Sequence, residues 1–262
     1  MIQIKALSKV NGWLHEKSAS IISDILEFQN EQNWAGGIAE IGIHHGKLFL
    51  LAASHLKNDE FGYAADLFDD QQQNIDKSGH GDRQIFENHI NDLIPDKARA
   101  ITIHSGNSLD IVPEDILSKF GQVRFFSVDG GHTAECTLND LSIAQDVLCD
   151  YGVVVLDDAF NQAWPDVSTG LADFYYRKSI AKISVFALSP NKVFFCKKEY
   201  TKKYRDYLRQ KHPELYLKTS TMFDSEMDIY LEPASKRARV ARRVKKIIGQ
   251  KSYDKLRALL KS

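Results

Sequence analysis

Nothing in this 262-residue chain approaches the roughly 18 apolar residues in a row that a membrane-spanning helix needs. Its start, Met1-Ile-Gln-Ile-Lys, lacks the long apolar core of a secretory signal. Cysteine is scarce. Cys136, Cys149 and Cys196 are odd in number and show no C-x-x-C spacing, which excludes a disulfide framework and a zinc knuckle. They read as reduced, buried thiols of a cytoplasmic protein. There is no internal repeat and no low-complexity tract. The G-x-G-x-x-G turn of dinucleotide binders is also missing, which argues against a nicotinamide dehydrogenase. What is present is 43% apolar residues and three tryptophans, enough for a core, with an ordinary 26% of charged residues. The length suits one large domain, or one domain with appendages.

Charge of one sign is nearly absent from the last 28 residues. Residues 235–262 hold eleven Lys/Arg and one acid, Asp254, a net of +10. Residues 1–234 therefore carry 23 bases against 34 acids, a net of −11, so the whole-chain value of −1 is a poor guide to partners. In the basic segment Val240, Val244, Ile247 and Ile248 share one helical face, Gly249 breaks it, and Leu256, Leu259 and Leu260 form a second. A basic amphipathic helix of this kind suits an anionic membrane surface. Packing on the acidic body, or on a second copy in a homodimer, is the plainer reading. Nucleic acid is the least favoured partner, because no aromatic-interleaved basic motif accompanies the charge.

Apolar spacing predicts a leading helix over 15–29, within a helical N-terminal segment 1–34. Strands are expected at 37–43, 62–66, 100–104, 123–129, 152–156, 183–188 and 192–197. Helices are expected at 47–57, 83–93, from about 134 to 149, 167–176 and 202–211. Strands alternating with helices imply an α/β, doubly wound parallel sheet with helices on both faces. The last two strands are separated only by Ser189-Pro-Asn191, short enough for an antiparallel hairpin. Residues 67–82 are polar and glycine-bearing, a long loop of the kind that is functional or mobile. Residues 212–234 show no clear period and are expected to be an irregular extension.

The first β-α unit, residues 39–50, organises the chain. Glu40 precedes Gly42 and Gly46, and a helix opens near Lys47, so unpaired N–H groups and a close backbone approach are available to a ligand. In sheets of this type ligands sit beyond the carboxyl ends of the strands. Those ends read Glu40/Gly42, Asp66, Ser105–Ser108 (with Asn107 in the turn), Asp129–His132 and Asp157–Asp158. Each acid singly could be a helix cap or turn residue. Together they describe one polar crevice. Asp66 is placed to accept hydrogen bonds from a ribose. Asp129, Asp157 and Asp158, from adjacent strands, would repel unless a cation lay between them, and oxygen ligands suit Mg²⁺. A turn in which one aspartate caps the next helix is the alternative. His132 could serve as a general base or as a partner of Asp129. His44 and His45 read as exposed loop residues, while Trp164 could wall the pocket or belong to the core.

These residues resemble class I S-adenosylmethionine-dependent methyltransferases over about 39–198. Glu40-x-Gly42-x-x-x-Gly46 is similar to their first motif and Asp66 to their ribose acid. Asp66-Leu-Phe-Asp-Asp-Gln71, Val128-Asp-Gly-Gly-His132 and Leu156-Asp-Asp158 resemble the macrocin-type and catechol-type O-methyltransferases, of the family 24 kind. The resemblance implies a seven-stranded methyltransferase domain over 35–211 with a terminal hairpin. It implies S-adenosylmethionine held by Glu40, Gly42, Gly46, Asp66, Asn107, Ser108 and Asp129, and Mg²⁺ on Asp129, Asp157 and Asp158. The third ligand is often Asn in the catechol type; here it is Asp158. His132 stands where that type has its lysine base, so His132 and Asp129 would be catalytic. The expected reaction is Mg²⁺-assisted O-methylation of a saccharide or secondary metabolite. An RNA or protein methyltransferase, or a non-catalytic binder of the same fold, is the alternative.

Overall fold

The computed structural model describes residues 1–231, so the basic segment 235–262 lies outside the described residues. After a 3-10 turn at Ile4–Lys9 come α1 (Glu16–Glu31), β1 (Gly37–Ile41), α2 (Lys47–Ala53), β2 (Gly62–Asp66), α3 (Arg83–Leu93) and β3 (Ile101–Ser105). Next are α4 (Pro113–Phe120), β4 (Val123–Val128), α5 (Ala134–Val147), β5 (Leu148–Asp157) and α6 (Pro165–Ala172). The chain continues through β6 (Ser184–Ser189), β7 (Lys192–Cys196), α7 (Lys198–Lys211), β8 (Tyr216–Met222) and β9 (Ser225–Tyr230).

One sheet holds all of these strands, in the order β3-β2-β1-β4-β5-β7-β6-β9-β8. Strands β1 to β5 are mutually parallel, and β7 runs antiparallel to both β5 and β6. Strand order reverses between β1 and β4, which opens a crevice at their carboxyl ends. Both central strands are buried along their whole length, as a sheet covered on two faces requires.

Among the described residues the sheet has nine strands, not the seven expected. The added pair, β8 and β9, occupies the stretch read as irregular, and β9 pairs parallel with β6. Two features hid it. The turn between the strands is Phe223-Asp224, both left-handed at φ 47° and 56°, and it lacks the Asn-Gly or Asp-Gly that marks such turns. The buried positions of β9 also include Asp228, fully buried and held by Arg209, whose Nη2 donates at 2.7 Å, and by Arg205. An acid in the core breaks the apolar alternation that signals a strand. Helix α4 was also unassigned, because only Ile116 of its eight residues is buried.

Helix α1 packs between α2 and α7. Phe28 stacks on Tyr207 with ring centroids 4.2 Å apart, and Gln29 Nε2 donates to Tyr204 Oη at 3.0 Å. Beneath it lies Arg124 of β4, fully buried. Its Nε and Nη2 donate to Glu60 (3.1 and 3.0 Å), Nη1 to Gln29 Oε1 (2.9 Å) and Nη2 to the carbonyl of His55 (3.0 Å). The three cysteines are buried and unpaired. Among the described residues no helix is long and apolar enough to cross a membrane.

Candidate active site

A cavity of about 550 Å³ opens where the strand ends were expected to converge. That volume falls within the range usual for small-molecule pockets. Glu40, Gly42, Asp66, Asn107, Ser108 and Asp129 all line it, and so do His132, Asp157 and Asp158. Gly46 does not. It starts α2 at φ +87°, and a Cβ there would come within 2.4 Å of the Phe86 ring, so this glycine serves helix packing. Gly42, also at φ +87°, lets β1 pass against the backbone of Asp129, where a Cβ would lie 1.7 Å from the carbonyl oxygen.

Glu40 is buried, and among the described residues its Oε2 has no hydrogen-bond partner. Burial pushes its carboxyl up to about 8, with the Lys192 ammonium opposing and Asp157 and Asp66 adding to the rise. Between the ordinary value of 4.5, where the unfolded chain gives up this proton, and about 8, the folded chain keeps it. Stability should fall as pH rises through that window. We expect Glu40→Gln to gain on wild type between pH 5 and pH 8 by on the order of 3 kcal/mol in urea denaturation. A constant difference across that window would show that Glu40 titrates normally.

Asp66 ends β2 and accepts from the backbone N–H of His44 and of Phe68, each at 2.7 Å. These bonds fix the carboxylate at the rim, and burial raises its pKa in spite of them. Asn107 Nδ2 donates to Gln73 Oε1 at 3.1 Å, so the 67–82 loop folds back over the strand ends.

That loop supplies a residue that sequence reading missed. Asp76 Oδ2 accepts from the backbone N–H of His132 at 2.6 Å and lies 2.8 Å from His132 Nδ1. On the other side of the ring, Nε2 is 3.1 Å from Asp158 Oδ2. Burial would lower the imidazole pKa, but hydrogen bonds to Asp158 and Asp76 outweigh it and raise the value. Burial likewise works against the two carboxylates. Hydrogen bonds from Ser78 and His132 nevertheless hold Asp76 at about 2, and those from His132, Asn161 and Asn191 hold Asp158 at about 2. Trp164 stacks on His132 at 4.3 Å and 18°, so it walls the pocket.

Asp129, Asp157 and Asp158 do come together, but not as an open set of three. In the antiparallel register Asp157 lies opposite Lys192, the first residue of β7. The buried Lys192 ammonium donates to Asp157 Oδ2 and lies 3.8 Å from Asp129 Oδ2. The other Asp157 oxygen accepts from Asn191 Nδ2 at 2.8 Å and from the backbone N–H of Asp158 at 2.9 Å. Asp158, at φ +57°, turns away towards His132 and accepts from Asn161 and Asn191 at 2.7 and 2.6 Å. The cluster whose ligand atoms lie within 4.8 Å of one another is Asp129, His132 and Asp158. Asp129 keeps its carboxyl well above the usual range, through burial first and the adjacent Asp157 charge second.

Residues 39–159 match the family model described as a methyltransferase domain. Under half of the 262 residues lie in that match, and over them the chain is similar to a methyltransferase domain. The matched span holds every acid of the crevice and ends before the hairpin that brings Asn191 and Lys192. No curated protein matches the chain in sequence. Among solved structures, the O-methyltransferase NovP is similar at 15% identity and a TM-score of 0.56, over 70% of this chain and 81% of its own. An O-methyltransferase from Bacillus cereus, in complex with SAH, gives 14% and 0.52 over 74% and 86%. CalS11, a TDP-rhamnose 3'-O-methyltransferase of calicheamicin biosynthesis, gives 16% and 0.50 over 70% and 81%. At these identities the likeness is one of fold.

Proposed function

We propose that the methyltransferase domain transfers a methyl group from S-adenosylmethionine to a hydroxyl of a saccharide or a similar small metabolite. The observation that carries this reading is the Asp76–His132 pair, set at the end of the crevice beside Asp129 and Asp158. The names of the similar structures, O-methyltransferases that include a sugar methyltransferase, support the choice of a hydroxyl acceptor.

The cofactor fits the residues present. The unpartnered Glu40 Oε2 suits the cationic amine of the methionyl part, and Asp66 at the rim suits the ribose hydroxyls. Asn107 and Ser108 border the same end of the cavity. Bound there, S-adenosylmethionine supplies an electrophilic methyl on a sulfonium. Asp76 holds the His132 ring with Nε2 beside Asp158 at the crevice, where Nε2 would take the hydroxyl proton as the O–C bond forms and the methyl–sulfur bond breaks to leave a neutral thioether. Trp164 covers the other ring face and keeps water from it. A divalent ion is the second element of the reading. Asp129 and Asp158 are the carboxylates left to hold it, in keeping with Mg²⁺ on one or two carboxylates plus substrate oxygens. Such an ion would lower the pKa of the acceptor hydroxyl.

The test is calorimetric titration with S-adenosylhomocysteine. Wild type should bind at micromolar levels. Asp66→Asn, which keeps one of the two oxygens that accept from the His44 and Phe68 N–H groups, should bind about tenfold more weakly, as for a lost charge-assisted hydrogen bond. Folded wild type that binds none would remove the proposal.

A further inference from the structure

Carboxylates from neighbouring strand ends call for a cation between them, and here the chain supplies one of its own. We propose that the Lys192 ammonium is the resident cation of the Asp129–Asp157 junction, screening Asp157 from a divalent ion, so that its removal uncovers a metal site. The inference rests on reading this crevice as a methyl-transfer site, where a three-aspartate ion would be expected.

Three observations carry it. Lys192 is placed by topology: it opens β7 directly across from Asp157, one residue after the Pro190-Asn191 turn, and its side chain is only 2% exposed. Its compact ammonium, with three donors, already meets one Asp157 oxygen and stands 3.8 Å from Asp129. Asn191, left-handed at φ +62° in the same turn, donates to Asp157 and to Asp158, so that the remaining Asp157 oxygen is also engaged. An ion bridging Asp129 and Asp157 would therefore have to displace a buried lysine from two acids. Asp158, facing His132, is outside that contest. The charges of Asp157 and Asp129, and more weakly of Glu40, in turn keep the Lys192 ammonium protonated against its burial.

The experiment is Mn²⁺ titration, read by calorimetry and by the loss of free Mn²⁺ signal in electron paramagnetic resonance. The full chain is used as wild type, Asp157→Asn, Lys192→Met and Lys192→Met/Asp157→Asn, with S-adenosylhomocysteine titrated into the same preparations. Asp157→Asn should leave Mn²⁺ binding as in wild type. Lys192→Met should bind Mn²⁺ about tenfold more tightly or better, the scale on which ligand-sphere changes act, and the double variant should return to wild type. Wild-type Mn²⁺ binding that is lost in Asp157→Asn would overturn the proposal. So would a Lys192→Met protein that keeps S-adenosylhomocysteine binding and gains no Mn²⁺ affinity. If Lys192→Met fails to fold, the Asp157→Asn comparison decides alone. Wild type that binds no S-adenosylhomocysteine would instead strike the functional reading of the crevice, whatever Mn²⁺ does.

Discussion

Replacing His132 with glutamine should lower the rate of methyl transfer by about 10²–10⁴-fold, the usual worth of a positioned base. Affinity for S-adenosylhomocysteine should hardly change, because Glu40 and Asp66, not His132, are the groups that suit the amine and the ribose. The pH profile makes the assignment specific. Two carboxylates raise the imidazole above its ordinary value of 6.5, and only the neutral ring accepts a proton. The rate should therefore climb with pH through a midpoint above 6.5, and this limb should vanish in His132→Gln. Asp76→Asn removes one of those carboxylates. Its limb should shift to lower pH, and its plateau should drop, since the ring loses the partner that orients it. A profile that neither substitution alters would end the base assignment.

Arg124→Met should cost about 3–5 kcal/mol, the expected effect of leaving a buried charge without its partner. Glu60 would keep only the N–H groups of Gly36 and Lys57, at 3.1 and 2.8 Å, around a carboxylate with a 4% exposed side chain. Gln29 Oε1 and the carbonyl of His55 would lose donors as well. Arg124→Met/Glu60→Gln removes both charges and should recover more than half of the loss. Urea denaturation with both midpoint and slope measured is the check. A single-variant cost below about 1 kcal/mol would mean that water or a rearranged Glu60 replaces the pair.

How much of this was legible in the sequence follows the range of the signals. Helix α3, residues Arg83–Leu93, and strand β2, Gly62–Asp66, fall where the apolar pattern set them, because α3 turns Phe86 and Ile90 to one core and β2 is buried on both faces along a short segment. The convergence of acidic strand ends was legible for the same reason: it follows from the parallel order alone. Asp76 was not, since nothing local distinguishes it from Asp69 or Asp70, and its partner is 56 residues away. Lys192 looked like an ordinary polar residue at a hairpin. Its role depends on the register between β5 and β7, which apolar patterning does not specify to the residue. The requirement for a cation beside Asp157 was readable, but not that the chain itself would provide it. Gly46 was read towards a ligand, whereas the Phe86 ring that needs its small size comes from α3.

The place of α1 bears on how the chain is made. Its Phe28 and Gln29 side rests on Tyr207 and Tyr204 of α7, and Ser18 Oγ donates to the Pro190 carbonyl at 2.6 Å. The helix ends at Glu31 and α7 at Lys211, so 180 residues separate the two ends. At about 5–20 residues per second, a ribosome needs roughly 10–40 s to deliver the second after the first. The 3-10 turn at Ile4–Lys9, α2 and Trp34, whose ring lies 5.7 Å from that of Phe28, reach the helix early. A nascent chain stalled before residue 198 would therefore leave bare the side of Phe28 that Tyr204 and Tyr207 cover, among the first parts synthesised and waiting on the last helix.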